Sequence, residues 1–88
     1  MKAYEVLDRP NKWRQGLAAI VKDKACIAIA IDRAYPGEDK RILYKRVAKS
    51  IGLTRDDGYD ALDQLIHWND APERTFEEVR DALIKADV

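Results

Sequence analysis

The sequence has one cysteine, one histidine and no long apolar stretch. A single cysteine excludes an internal disulfide framework and a multi-cysteine zinc site, and it is typical of a protein in a reducing compartment. The longest apolar run, from Ala25 to Ile31, is far shorter than the ~20 residues of a bilayer-spanning helix. No apolar stretch of a secretory signal follows Met1. We therefore expect a cytoplasmic protein without membrane association.

Net charge and glycine-rich segments are also lacking. The 16 basic and 16 acidic residues cancel, so no long-range field attracts polyanions, and electrostatic recognition depends on local patches. The four glycines are scattered singly, which excludes a glycine-rich phosphate-binding loop. Hydrophobic residues make up 47% of the chain and charged residues 36%, a mixture too apolar for disorder. The length predicts one domain over residues 1–88.

In the first half of the chain, apolar residues recur at helical intervals between a few helix breakers. After Pro10 the pattern predicts a helix that contains Trp13 and Gly16 and continues through residues 17–21. The alternating Ile and Ala of residues 25–31 also have the period of a strand. Their alanine content favours a helix through the middle of the core, but the pattern leaves the strand open.

The second half of the chain has clearer helix boundaries. A third helix begins near Asp39 and ends at Gly52, which supplies a left-handed stop. A fourth helix begins at Thr54 and cannot continue past Pro72. Thr75 and the glutamate three residues later form a capping box for the last helix. The sequence therefore predicts an all-α fold, a compact bundle of four to five short helices.

Three segments resemble a known family. Residues 68–75, Trp-Asn-Asp-Ala-Pro-Glu-Arg-Thr, resemble the C-terminal signature of a family of small bacterial and phage proteins of unknown function. Residues 13–16 resemble that family's Trp-x-x-Gly segment. Residues 25–27 resemble the start of its Cys-Leu-x-Gly-Ala-Leu helix, although Ile29 stands where the family usually has glycine. The resemblance implies a helical fold and carries over no activity.

The motif residues can be explained by turn chemistry and helix capping. The side chains of Asn69 and Asp70 can bond their own backbone in a turn, and Pro72 breaks the helix. A binding role for Asn69 and Asp70 is the alternative. We predict structural roles for all the motif residues: Trp13, Gly16, Cys26, Trp68, Asn69, Asp70, Pro72 and Thr75.

The residue types of a cysteine-nucleophile triad are present as Cys26, His67 and Asp70. Cys26 lies among Ile and Ala, where a buried thiol is inert. The acidic run at residues 56–60 lacks the ligand spacing of a calcium loop. We therefore expect a non-enzymatic protein with no catalytic residues, metal or cofactor. A cysteine-dependent enzyme, with Cys26 as nucleophile and His67 as base, is retained as an alternative.

Basic residues crowd the third predicted helix, and acidic residues follow on the fourth. The two sets can complement each other within the molecule or form a dipolar docking surface for another protein. The predicted interaction surface comprises Arg41, Lys45, Lys49, Asp56, Asp60 and Asp63. Our leading hypothesis is a small regulator or adaptor that contacts an unidentified protein partner through this surface.

Nucleic-acid binding through the basic helix at residues 40–49 is the other alternative. The helix and its glycine turn are similar to the first half of a helix-turn-helix. The following helix, however, would present carboxylates where a recognition helix carries basic and amide side chains. Such binding would weaken steeply with added salt.

Overall fold

The computed structural model describes residues 1–16, 23–37, 39–53 and 60–88. These residues form five α-helices: α1 (Ala3–Val6), α2 (Ile27–Ala34), α3 (Arg41–Ser50), α4 (Ala61–Asn69) and α5 (Phe76–Ala86). A single turn of 3-10 helix covers Pro10–Lys12. The described ranges contain no β-strand, only one isolated bridge. The helices pack into a globule with a Cα radius of gyration of 11.8 Å, which confirms the predicted all-α bundle.

Helix α2 runs through the middle of the core. It packs against α1, α3 and α4, and its residues Ile27, Ala28, Ala30 and Ile31 are buried. A helix covered by neighbours on several sides needs apolar residues around most of its circumference. The helical alternative for the Ile-Ala tract is therefore the correct one from Ile27 onward, and the strand alternative is wrong there.

The first predicted helix does not form around Trp13. Its backbone is extended and makes a parallel bridge with Ala25, and the Arg14 N–H donates to the Ala25 carbonyl at 3.2 Å. Gly16 has φ +86°, in the left-handed region that favours glycine. This pairing joins residues far apart in sequence, so a helical period of apolar residues could not reveal it. The continuation of the prediction through residues 17–21 lies outside the described residues.

The end of α3 agrees with the prediction. Gly52 has φ +80°, and the Leu53 N–H donates to the Ala48 carbonyl at 2.8 Å. This bond satisfies a carbonyl that the last turn would otherwise leave open.

Helix α4 begins at Ala61, and Asp60 is its N-cap rather than a residue inside the helix as predicted. The Asp60 backbone is extended, and its carboxylate accepts a hydrogen bond from the Asp63 N–H at 2.8 Å. A short carboxylate at this position satisfies one of the free N–H groups of the first turn. The predicted start at Thr54 and the predicted position of Asp56 lie outside the described residues.

The capping box of α5 is confirmed. The Glu78 N–H donates to the Thr75 hydroxyl at 3.2 Å, and the Glu78 carboxylate accepts from the Thr75 N–H at 3.0 Å. The backbone N–H of Thr75 is the main cause that lowers the pKa of Glu78, and the Thr75 hydroxyl and the Arg74 charge add to it. Val79 and Leu83 on the inner side of α5 are completely buried. The capping box therefore determines where a helix of the core begins.

The capping box predicts how Glu78 titrates. A carboxyl group with a lowered pKa in the folded state stabilises the fold above its ordinary pKa and loses this contribution as the pH falls. NMR titration of the Glu78 carboxyl carbon should therefore give a pKa below the ordinary 4.5. In Thr75→Ala the pKa should rise but stay below that value, because the backbone N–H remains. An unchanged pKa in Thr75→Ala would contradict the role of the hydroxyl.

Candidate functional site

The side-chain amide of Asn69 joins three parts of the chain at the end of α4. Its oxygen accepts hydrogen bonds from the indole N–H of Trp13 at 2.8 Å and from the Ile27 backbone N–H at 3.0 Å. Its nitrogen donates to the Arg14 carbonyl at 3.2 Å and to the Asp70 carboxylate at 3.0 Å. The residue is completely buried, and every hydrogen-bonding position of its amide is occupied. We call these contacts, with those of Gln15 and Asp70 described next, the Asn69 junction.

Asp70 and Gln15 extend the junction to the neighbouring backbone. The Asp70 carboxylate accepts a hydrogen bond from the Gly16 N–H at 2.9 Å. The Gln15 side-chain amide donates to the carbonyls of Asn69 and Ala71 at 3.0 and 2.6 Å. The Trp-x-x-Gly segment and the C-terminal motif therefore bind each other directly.

These bonds differ from the expected ones. Sequence reasoning assigned Asn69 and Asp70 to their own turn, whereas Asn69 bonds Trp13, 56 positions away. One signal was present in the sequence, because Asn69 continues the inner side of α4 that includes the buried Leu65. A polar residue at a core position requires internal hydrogen-bond partners.

The rest of the C-terminal motif links α4 to α5. The Arg74 guanidinium lies 4.1 Å from the centroid of the Trp68 ring, a cation–π contact. It also donates to the Trp68 carbonyl at 2.8 Å and to Glu78 at 3.0 Å. Pro72 is exposed between the two helices, and Thr75 caps α5. Helix ends, packing and capping account for these side chains without a ligand.

The residues of the cysteine-enzyme alternative, Cys26, His67 and Asp70, differ in their exposure. Cys26 is 1% exposed at the start of α2, and His67 is exposed on α4. No hydrogen bond among the described residues joins Cys26, His67 and Asp70 to one another. The same part of the chain contains no group of three or more His, Cys, Asp and Glu side chains that could hold a metal ion.

Several basic residues of the segment 40–49 are held by internal contacts. Arg41 Nη2 lies 2.7 Å from the Asp39 carboxylate, and Arg41 Nε also donates to it. The Arg41 side-chain hydrogen bonds lower the pKa of Asp39 to about 2. Arg46 donates to the carbonyls of Ala86 and Asp87 at the end of α5, at 2.9 and 2.8 Å. The Arg46 bonds anchor α3 to the end of α5, whereas the Arg41–Asp39 pair is a local contact at the start of α3.

Asp32 on α2 forms a second anchor for α3. It accepts a hydrogen bond from the Tyr44 hydroxyl at 3.0 Å and lies 3.4 Å from Lys40 Nζ. Burial, followed by the hydrogen bond and charge of Asp32, raises the pKa of Tyr44 to about 12. The Tyr44 hydroxyl therefore stays neutral at physiological pH and can donate its hydrogen bond to Asp32.

Only part of the basic and acidic residues that could pair between the two helices lies in the described part of the chain. No ion pair there joins α3 to Asp60 or Asp63, and Asp60 caps α4 instead. Lys45 and Lys49 are exposed, and within the described ranges neither forms an ion pair or a side-chain hydrogen bond. Asp56, the remaining member of the predicted surface, lies outside the described residues.

A cleft of about 260 Å³ lies between α3 and the start of α4, and we call it the α3–α4 cleft. It is lined by Arg41, Tyr44, Lys45, Asp60, Ala61 and Leu62. The structure thus brings together three residues of the predicted surface, Arg41, Lys45 and Asp60. Lys49 and Asp63 are not part of the lining.

Sequence reasoning missed Ile42, which lies beside the cleft-lining residues on α3. Ile42 is 74% exposed on α3, where Arg41 and Lys45 are its charged neighbours. A signal was available, because Ile42 falls outside the every-fourth-residue pattern of Leu43, Val47 and Ile51.

The Asn69 junction predicts a large loss of stability in Asn69→Ala. The substitution leaves the Trp13 indole N–H and the Ile27 N–H without an acceptor, and each unsatisfied buried group costs about 1–3 kcal/mol. We expect the free energy of unfolding to fall by about 2 kcal/mol or more in urea denaturation followed by circular dichroism. Asp70→Asn keeps an acceptor oxygen and should cost less than about 1.5 kcal/mol. Asn11→Ala, at an exposed position, is the matched control, and an equal loss in it would contradict the junction.

Comparisons with known proteins place the chain in a family without assigning an activity. None of the helices in the described ranges is long and apolar enough to cross a membrane. No curated protein and no solved structure matches the chain. The model of a family described as "Family of unknown function (DUF6197)" matches residues 1–87. Since this match covers nearly the whole chain, the protein belongs to that family of unknown function.

Proposed function

We propose that the protein is a non-enzymatic regulator or adaptor that binds a protein partner through one face of α3. The observation that carries the proposal is the exposure of Ile42, Lys45 and Lys49, which we call the α3 face. These residues are three and four positions apart, so they lie on one side of the helix. Neither lysine is held by an internal contact within the described ranges.

The composition of the α3 face favours a protein over a nucleic acid. Protein interfaces combine an apolar centre with a polar rim, and Ile42 with its flanking lysines has this arrangement. Nucleic-acid binding instead gains affinity from the number of phosphates neutralised. Arg41, Lys40 and Arg46 already have internal partners. Asp60 and Asp63, both exposed at the start of α4, would repel phosphates.

Burial of Cys26 supports a non-enzymatic role, because a nucleophile must be reachable by its substrate. The motif residues near it are occupied by the Asn69 junction. A single reduced thiol is also consistent with action in the cytoplasm. From the family resemblance we infer a bacterial or phage source for the protein.

Site-specific photocrosslinking tests the proposal. A benzoyl-phenylalanine residue replaces Ile42 in one variant and Ile84 in the control, which is 44% exposed on α5. After irradiation in cells that produce the protein, position 42 should give a discrete protein adduct that position 84 does not. Adding Lys45→Glu and Lys49→Glu should remove the adduct, because the lysines guide the partner to the face.

Two outcomes would contradict protein binding through the α3 face. The first is the same set of adducts from positions 42 and 84. The second is a nucleic-acid adduct at position 42, with a gel-shift complex that dissolves as salt is added. Circular dichroism of each variant verifies that the helices are intact.

A further inference from the structure

The size of the α3–α4 cleft limits what it can hold. Its volume of about 260 Å³ is below the ~300–1,000 Å³ of pockets that enclose cofactors and drug-sized ligands. Tyr44, Ala61 and Leu62 supply carbon atoms to its walls. The Tyr44 hydroxyl is already bonded to Asp32, so Tyr44 offers the cleft its ring. The space therefore suits one large apolar side chain.

The two walls of the cleft carry opposite charges. On α3, Arg41 is partly neutralised by its hydrogen bonds to Asp39, whereas Lys45 has no such partner in the described part of the chain. On the α4 side, Asp60 uses one carboxylate oxygen to cap the helix. Lys45 is therefore the available cation on one wall, and Asp60 is the carboxylate on the other.

We propose that the α3–α4 cleft receives one large apolar side chain from a partner segment, with an acidic residue before or after it at Lys45 and a basic residue on its other side at Asp60. The inference rests on the proposed function and specifies the chemistry of the protein partner. Charge complementarity orients the segment, and the apolar side chain supplies the buried contact. Lys45 belongs to both the cleft and the α3 face, so a bound segment continues over Ile42.

Short blocked peptides test this occupant directly. The probe is Gly-Glu-Phe-Lys-Gly, with Gly-Glu-Ala-Lys-Gly and Gly-Lys-Phe-Lys-Gly as controls. In ¹⁵N-labelled protein, the first peptide should shift the backbone amide signals of Tyr44, Lys45, Ala61 and Leu62. The alanine peptide should leave them unchanged. The Lys-Phe-Lys peptide should bind up to about fivefold more weakly, the effect of one exposed charge pair.

Lys45→Glu and Lys49→Glu form a matched pair of protein variants. Both reverse one charge on α3, but only Lys45 lines the cleft. Lys45→Glu should weaken the Glu-Phe-Lys peptide by up to about fivefold and strengthen the Lys-Phe-Lys peptide. Lys49→Glu, one turn away, should change either affinity by less than about twofold, because solvent and salt screen its charge. Lys45→Gln, which removes the charge without reversing it, should weaken binding of the Glu-Phe-Lys peptide by an intermediate factor. Such a graded loss of affinity would show that the effect of Lys45→Glu comes from its charge and not from a folding defect.

Three results would overturn the cleft as a side-chain site. They are equal effects of the two charge reversals, equal binding of the alanine peptide, and an absence of shifts at the cleft amides. Concentration-dependent shifts of these amides without peptide would assign the cleft to a second copy of the chain and also overturn the proposal. Crosslinks at position 42 without peptide selectivity would leave the proposed protein binding intact and refute only this occupant.

Discussion

The arrangement of the helices depends on one buried amide, that of Asn69. Apolar surfaces pack without strong directional preference, whereas the four hydrogen bonds of this amide fix the Trp13 segment, the start of α2 and the end of α4 together. In a low-dielectric interior such bonds are costly to leave unmade. Any displacement of these segments would leave buried polar groups without hydrogen-bond partners. The amide therefore favours a single arrangement of the core.

The segments that carry the family resemblance are used almost entirely within the fold. Trp13 and Gly16 bind the end of α4, Arg74 covers Trp68, and Thr75 caps α5. Contacts within the fold therefore account for the side chains of these residues. The partner contact that we propose is on α3, where Ile42 and two lysines are exposed beside a cleft with oppositely charged walls.

Local signals explain which parts of this structure could be predicted from sequence. The stop at Gly52 and the capping box of Thr75 depend on residues within one or two turns, so the sequence contains their causes. The bridge of Trp13 to Ala25 and the bonds of Asn69 connect positions that are distant in the sequence. The helical spacing of apolar residues does not indicate such contacts. For the candidate site, charge patterning singled out Arg41, Lys45 and Asp60, which the structure places around one cleft. Charge patterning does not indicate that Arg41 pairs with Asp39, or that Lys45 lines the cleft without an ion-pair partner in the described ranges.

Hydrogen exchange of the two tryptophan indoles tests the central role of Asn69 most directly. The Trp13 indole N–H donates to the buried Asn69 oxygen, whereas the Trp68 indole N–H makes no hydrogen bond within the described ranges. If the Asn69 amide holds these segments together, the Trp13 indole and the Ile27 amide exchange only through global unfolding, with the same free energy, and the Trp68 indole exchanges faster. A Trp13 indole proton that exchanges as fast as that of Trp68 would show that the junction opens independently of the core, and it would contradict the central role of Asn69.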